Sequence, residues 1–325
     1  MRRGWLAAAL LLASCGRYAD FTLPVRSAPQ PASFRLEALA RPVLERGAAG
    51  EWDARDALNP SVAGGLMLYS GFDGQTWRTG LATSRDGLRW EKQGVVLAPD
   101  PRTWEGRYIA ANGAFLQTRG TFWYWYQAGP KETPRIGLAQ SPDARAWRKH
   151  AAPVLEPGPR GSWDERGVAD PYVVELAPYF YMFYLGQDRA RRQRLGVARS
   201  SDGRRWEKLR ANPILELGGP GAFDENGLGE PAVWSTTGGY SMLYTGRDAR
   251  ENRRLGLARS SDGARWTKQP TVFAGAEAWN SRVLCDPTVE PDGARVRVWF
   301  GGGDRPSPDE NLNGQIGYGV LIPVP

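Results

Sequence analysis

Histidine is almost missing from this 325-residue chain, with His150 the only one. That excludes a multi-histidine metal centre. A Ser-His-Asp triad is also left without support, because His150 falls in the polar turn Trp147-Arg148-Lys149-His150. Cysteine occurs only as Cys15 and Cys285, and if Cys15 is modified, one thiol remains and no internal disulfide can form. Lysine is scarce too, five residues against 37 arginines, within a formal net charge of +7. The arginines are spread along the chain rather than gathered into a basic stripe or a recognisable motif, so no nucleic-acid partner is expected. Beyond the N-terminus no stretch has helical apolar periodicity. The chemistry must come from carboxylates, and neither a cofactor nor a dedicated metal loop is expected.

Forty glycines, 25 prolines and 14 tryptophans are present. Together they indicate many short strands and tight turns, an all-β chain rather than a disordered one. Residues 1–15 combine Arg2-Arg3, an apolar run from Trp5 to Leu12, and Leu12-Ala13-Ser14-Cys15. This is the pattern of a secretion signal, too short to span a bilayer. Its last four residues resemble the bacterial lipobox, which would make Cys15 the lipidated residue. An ordinary cleaved signal is the alternative. Gly16 follows instead of Asp, which favours the outer membrane over inner-membrane retention; a periplasmic or extracellular location is the other possibility. Residues 16–38, with Pro24, Pro29 and Pro31, read as a flexible tether, and 39–325 as one domain, expected to be monomeric.

That domain is a repeat. Four segments have the form Ser-x-Asp-x-x-x-Trp: Ser84–Trp90, Ser141–Trp147, Ser200–Trp206 and Ser260–Trp266. Three carry Asp-Gly at the centre, a tight-turn signal. They resemble the Asp-box of sialidases, but the Asp-to-Gly spacing is one residue shorter, which argues against that family. Before each box lies a short strand with a central glycine (Gly80 is preceded by Thr79; then Gly137, Gly196, Gly256), and Ile316-Gly317-Tyr318 is a fifth copy without a box. Outer strands follow four of the five copies. The missing fifth is Pro42-Val43-Leu44-Glu45, which matches Pro153-Val154-Leu155-Glu156. The expected fold is therefore a five-bladed β-propeller of four-stranded blades, closed by the N-terminal strand joining the last blade.

Each repeat opens with an aromatic residue followed seven positions later by a residue that usually precedes proline: Trp52 and Asn59, Trp104 and Ala111, Trp163 and Asp170, Phe223 and Glu230, Trp279 and Asp286. In the second repeat the context is Ala111-Asn112-Gly113. Proline suits a strand start, where no ladder donor is needed, and the first strand of a propeller blade lines the central channel. These residues should face one another there. The aromatic residues, Trp163 foremost with Trp104 and Trp279, suit either sugar stacking or packing. Three positions after the aromatic stand Arg55, Arg107, Arg166 and Arg282, with Asn226 in the fourth repeat. A repeated Arg beside a repeated acid suits ion pairing between neighbouring blades. It equally suits a cationic rim, Arg166 and Arg282 above all, for an anionic sugar.

On these repeats and the Ala-Asp170-Pro and Gly-Glu230-Pro motifs, residues 39–325 resemble the five-bladed glycoside hydrolases of the arabinanase, levansucrase and invertase type (families 43, 32 and 68). The resemblance implies a carbohydrate substrate, Glu230 as general acid and Asp170 as the carboxylate that tunes and orients it. Asn59 stands where the family has its base or nucleophile, and an amide can do neither task. Asp286 is the candidate replacement, and Asn59 and Asn112 are candidate substrate contacts. Asp53, aligned with Asp164 and Asp224, fits a structural turn role. The competing expectation is a non-catalytic glycan-binding lipoprotein on the same fold; phosphorolysis, with phosphate as nucleophile, is a third.

Overall fold

The computed structural model describes residues 18–24, 33–236 and 238–324. It is all-β apart from one 3-10 turn at Ala278–Asn280. Five antiparallel units of four strands follow one another. The first comprises Asp56–Ala63, Leu66–Phe72, Trp77–Thr83 and Glu91–Leu97; the second Ile109–Thr118, Thr121–Gly129, Arg135–Ser141 and Arg148–Lys149. The third comprises Gly167–Leu176, Tyr179–Gln187, Gln193–Ser200 and Glu207–Leu209; the fourth Gly227–Thr236, Gly239–Arg247, Arg253–Ser260 and Thr267–Phe273. The fifth is built from Val283–Asp292, Arg295–Gly303 and Gln315–Val324, and its fourth strand is N-terminal, Ser33–Ala38. Hydrogen bonding divides the strands among three sheets. The first strands of successive units pack side by side, and that of the fifth packs against that of the first.

The N-terminal segment departs from the tether expectation. Tyr18–Ala19 pairs in parallel with Lys208–Leu209, Phe21 packs on Tyr181, buried Leu23 donates its amide to Asp262, and Ser33–Ala38 pairs with Gly319–Val324. Proline content misleads here: Ser33-Phe34-Arg35-Leu36 alternates as a strand does, and the segment covers sheet edges that would otherwise be exposed. Leu44 then bridges Ile316 as Leu155 bridges Ile136 and Leu215 bridges Leu195. The lipobox and Cys15 lie outside the described residues.

The boxes act as turns. In the first, the Gly87 amide donates to the Ser84 hydroxyl, the Leu88 and Arg89 amides donate to Asp86, and the Trp90 indole donates to the Gly87 carbonyl. Trp299 of the fifth unit also donates to the Gly87 carbonyl at 2.8 Å, and Trp125 of the second unit does the same to Gly203 of the third.

The aromatic residue that opens each unit is a packing element. A Cβ at Gly186 or Gly196 would collide with Trp163, and one at Gly302 or Gly317 with Trp279. In the second unit Gly137 admits Tyr126 instead, and in the other four the repeated glycine admits this ring. The next residue is a buried acid in four units, and each meets a lysine and a tyrosine: Asp53 with Lys92 and Tyr69, Glu105 with Lys149 and Tyr126, Asp164 with Lys208 and Tyr184, Asp224 with Lys268 and Tyr244. Four of the five lysines are thus consumed by one repeated interaction. A compact ammonium on a flexible stem fits that space where a planar guanidinium is bulkier.

Candidate functional site

Every first strand breaks its register at the same place, between Leu58 and Ser61, Ala111 and Gly113, Ala169 and Tyr172, Gly229 and Ala232, and Cys285 and Thr288. The bulged residues Asn59, Asn112, Asp170, Glu230 and Asp286 have φ of 51°, 51°, 49°, 46° and 51°. The left-handed region costs a residue with a Cβ about 1–2 kcal/mol. Asn and Asp tolerate it; Glu gains nothing there. Five strained bulges at equivalent positions re-aim five side chains, and such strain concentrates where function requires it. In the second unit the equivalent residue is Asn112 and not the expected Ala111, because that unit lacks the proline and its spacing from Trp104 is one residue longer.

All five residues line a cavity of about 270 Å³. Asp170 accepts from Asn112 Nδ2 at 2.5 Å and from the Glu230 amide at 3.4 Å. Asp286 Oδ2 accepts from the Asn59 amide at 3.3 Å and from the Cys285 thiol at 3.1 Å. Glu230 differs, since its Oε2 is buried without a hydrogen-bond partner. Burial, reinforced by the Glu230 charge, pushes both Asp170 and Asp286 well above the usual carboxylate range. Burial likewise pushes the Cys285 thiol up.

One guanidinium, Arg253, faces this acidic group from the third strand of the fourth unit. It is buried and donates to the carbonyls of Ser307 and Pro308; burial opposes its charge, and the neighbouring Glu230 favours it. Among the described residues no group of three His, Cys, Asp or Glu side chains is arranged to hold a metal ion.

The structure thus brings Asn59, Asn112, Asp170, Glu230, Asp286 and Arg166 to one cavity. It does not bring the others. Trp163 does not line this cavity and packs against Tyr184 and the glycines Gly186 and Gly196. Arg282 does not line this cavity but an adjoining one that shares Arg253 with it and also holds Arg250 and Arg254. Asp56 accepts the amides of Asn311, Leu312 and Gly314, tying down the last loop. Arg55, Arg107, Arg166 and Arg282 are exposed, and among the described residues none forms an ion pair with the acids. The sequence pattern does not single out Arg253, yet a signal exists. Three residues before the repeated glycine of the first four units stand Trp77, Pro134, Gln193 and Arg253, all different, and all four line the cavity.

An all-β array with carboxylates converging from successive first strands defines the propeller glycoside hydrolase superfamily. Residues 70–285 match the glycosyl hydrolases family 32 N-terminal domain, and the chain belongs to that family. An uncharacterized protein of Mycobacterium tuberculosis (strain CDC 1551 / Oshkosh) is 29% identical over 229 residues, covering 66% of this chain and 75% of that protein. Among solved structures, the fold is similar to that of a protein described with the GH130 mannoside phosphorylases and hydrolases targeting β-1,2 mannosidic linkages (TM-score 0.68, 16% identity, 92% and 97% of the chains). It is also similar to a family 117 glycoside hydrolase of Zobellia galactanivorans (TM-score 0.68, 16% identity, 90% and 92%) and to a thermostable family 43 enzyme (TM-score 0.62, 16% identity, 81% and 88%). At these identities the likeness is one of fold.

Proposed function

We propose that the five units are blades of one closed five-bladed propeller, and that its cavity hydrolyses a glycosidic bond in an oligo- or polysaccharide, with Glu230 as general acid. Closure is supported by the Leu44–Ile316 bridge, by Ser33–Ala38 pairing into the fifth unit, and by Trp299 donating across to Gly87.

The observation that carries the catalytic reading is the unpartnered Glu230 Oε2. It is buried, strained and turned into the cavity, where a structural acid would have its lone pairs satisfied. Asp170 and Asp286 have their donors; Glu230 waits for one. Three carboxyl groups share the site with the buried Arg253 guanidinium, and burial together with the Glu230 charge holds Asp170 and Asp286 above the usual carboxylate range. Glu230, whose oxygen has no donor of its own, is the group placed to meet the departing glycosidic oxygen. Asp170, fixed by Asn112 and by the Glu230 amide, orients and tunes the acid. Asp286, held against the Asn59 backbone amide, is the second carboxyl group that Asn59 cannot supply; to act as base or nucleophile it must be ionised, the form that the nearby Arg253 guanidinium favours against burial and the Glu230 charge. The Asn59, Asn112, Gln127 and Gln193 amides that line the same cavity suit sugar hydroxyls.

A non-catalytic protein would suit acids engaged by the repeated arginines, and the absence of such ion pairs among the described residues, with the acids lining a cavity, favours the enzyme instead. Turnover of aryl glycosides and polysaccharides by the purified protein, abolished in Glu230→Gln, tests it. Binding without turnover, unchanged in that variant, refutes it. Acylation at Cys15 would anchor the protein at the cell envelope. With Tyr18 already paired to the third unit, only two residues would separate anchor and domain, holding the body against the membrane surface. Mass spectrometry of the membrane fraction tests that.

A further inference from the structure

The third and fourth units repeat one another's backbone hydrogen bonds at the cavity rim, with the charges of three side chains changed. In the fourth, the Asn226 amide donates to the Arg247 carbonyl, and Glu251 closes a turn from Asp248 with φ of 63°. In the third, the Arg166 amide donates to the Gln187 carbonyl, and Arg191 closes a turn from Asp188 with φ of 62°. The backbones are equivalent. The side chains of the fourth unit satisfy one another: the Glu251 carboxylate accepts from Asn226 Nδ2 at 3.0 Å and from Arg247 at 2.9 Å. The corresponding trio in the third unit is Arg166, Arg191 and Gln187. A guanidinium stands where the fourth unit has its carboxylate, and a second where it has the amide.

Neither the Arg166 nor the Arg191 side chain has a hydrogen-bond, ion-pair or ring partner among the described residues, and both are exposed residues of the third unit that line the cavity. The nearby arginines are occupied: Arg189 with Glu165, Arg192 and Arg194 with Asp188. Arginine in a left-handed turn is costly and here has no internal compensation.

We propose that Arg166 and Arg191 form a subsite for the carboxylate of a uronic acid residue in the glycan, the ligand supplying the acceptor that Glu251 supplies in the next unit. Two guanidinium forks facing one carboxylate give charge-assisted, directional hydrogen bonds and steer an anionic chain to the cavity. This rests on the cavity being a glycan site. It makes the substrate an acidic glycan and places the acidic sugar on the third-unit side of the scissile bond.

The test uses calorimetric binding of glucuronate-, galacturonate- and mannuronate-containing oligosaccharides, their carboxyl-reduced neutral counterparts, and inorganic phosphate. A uronate member should bind more tightly than its neutral counterpart, by about 10- to 100-fold for a charge-assisted bidentate contact, and less tightly as salt is added. Arg191→Glu should erase that preference while keeping or raising the melting temperature, because it reproduces the self-satisfied arrangement of the fourth unit; Arg166→Gln should weaken it. No Arg191-dependent preference across the panel overturns the proposal, as does phosphate binding that needs Arg191 while uronates do not bind. Arg191-dependent uronate binding without turnover of any glycan would leave the subsite standing and remove the hydrolase reading. Turnover with binding indifferent to Arg191 would do the reverse.

Discussion

If Glu230 is the proton donor, replacing it should stabilise the protein while disabling it. In Glu230→Gln the fold keeps the side-chain shape but loses a buried, unpartnered carboxylate oxygen beside two other acids. An unsatisfied buried polar group costs about 1–3 kcal/mol, and the amide offers its NH2 to the neighbouring carboxylates. For a chain of this length, an unfolding entropy of about 2 cal/mol/K per residue makes 1 kcal/mol worth roughly 1.5 °C. The expected rise in melting temperature is therefore about 2–4 °C, with turnover falling by roughly 10²–10⁴-fold. Backbone strain adds a second comparison. At φ of 46°, Glu230→Gly should exceed Glu230→Ala in stability by about 1 kcal/mol, the relief of ~1–2 kcal/mol being partly offset by the greater unfolded-state freedom of glycine. Differential scanning fluorimetry beside an aryl-glycoside assay measures both. A melting temperature lowered by several degrees in Glu230→Gln would show a structural acid, and undiminished turnover would show that the proton comes from elsewhere.

The repeated buried acids should behave in the opposite way. Lys208→Met leaves Asp164, fully buried, without its ammonium, and should cost about 3–5 kcal/mol, whereas Lys92→Met should cost less because Lys92 is about a third exposed and water screens the loss. Trp163→Ala, read as a packing change, should destabilise by about 3–5 kcal/mol without altering KM; a raised KM with an unchanged melting temperature would return Trp163 to the site. The pH dependence has two signs. Backbone donors hold Asp86, at about 2, and also Asp143 below the ordinary carboxylate range, so their contribution is complete above about pH 4 and is lost as pH falls toward their folded values. Asp170 and Asp286 are shifted upward, so folding is increasingly penalised as pH rises from about 4 through their folded values. Chemical denaturation of Asp170→Asn across that range should give a flatter profile than the parent chain, and an identical slope would contradict the assignment.

The frame of the fold is legible in the sequence because it is copied. Ser-x-Asp-Gly, the glycine that admits an aromatic ring, and the acid after that ring each recur because the same steric and hydrogen-bonding problem recurs in every unit. The N-terminal strap was illegible for the complementary reason: it occurs once, and its prolines resemble those of a linker.

The same logic explains which parts of the site could be read. Asp170, Glu230 and Asp286 occupy a repeated position, so alignment of the units finds them, and the shared left-handed bulge accounts for the Asx residues and prolines around it. Trp163 also occupies a repeated position, and there repetition points to packing, since a residue kept in every unit answers to packing that every unit needs. Arg253 and Arg191 are visible only as departures, Arg253 against Trp77, Pro134 and Gln193, and Arg191 against Glu251. In a repeat protein a substrate meets each unit at a different chemical face. Recurrence of residue identity therefore marks the scaffold, and the places where one unit abandons what its neighbours keep mark what the molecule binds.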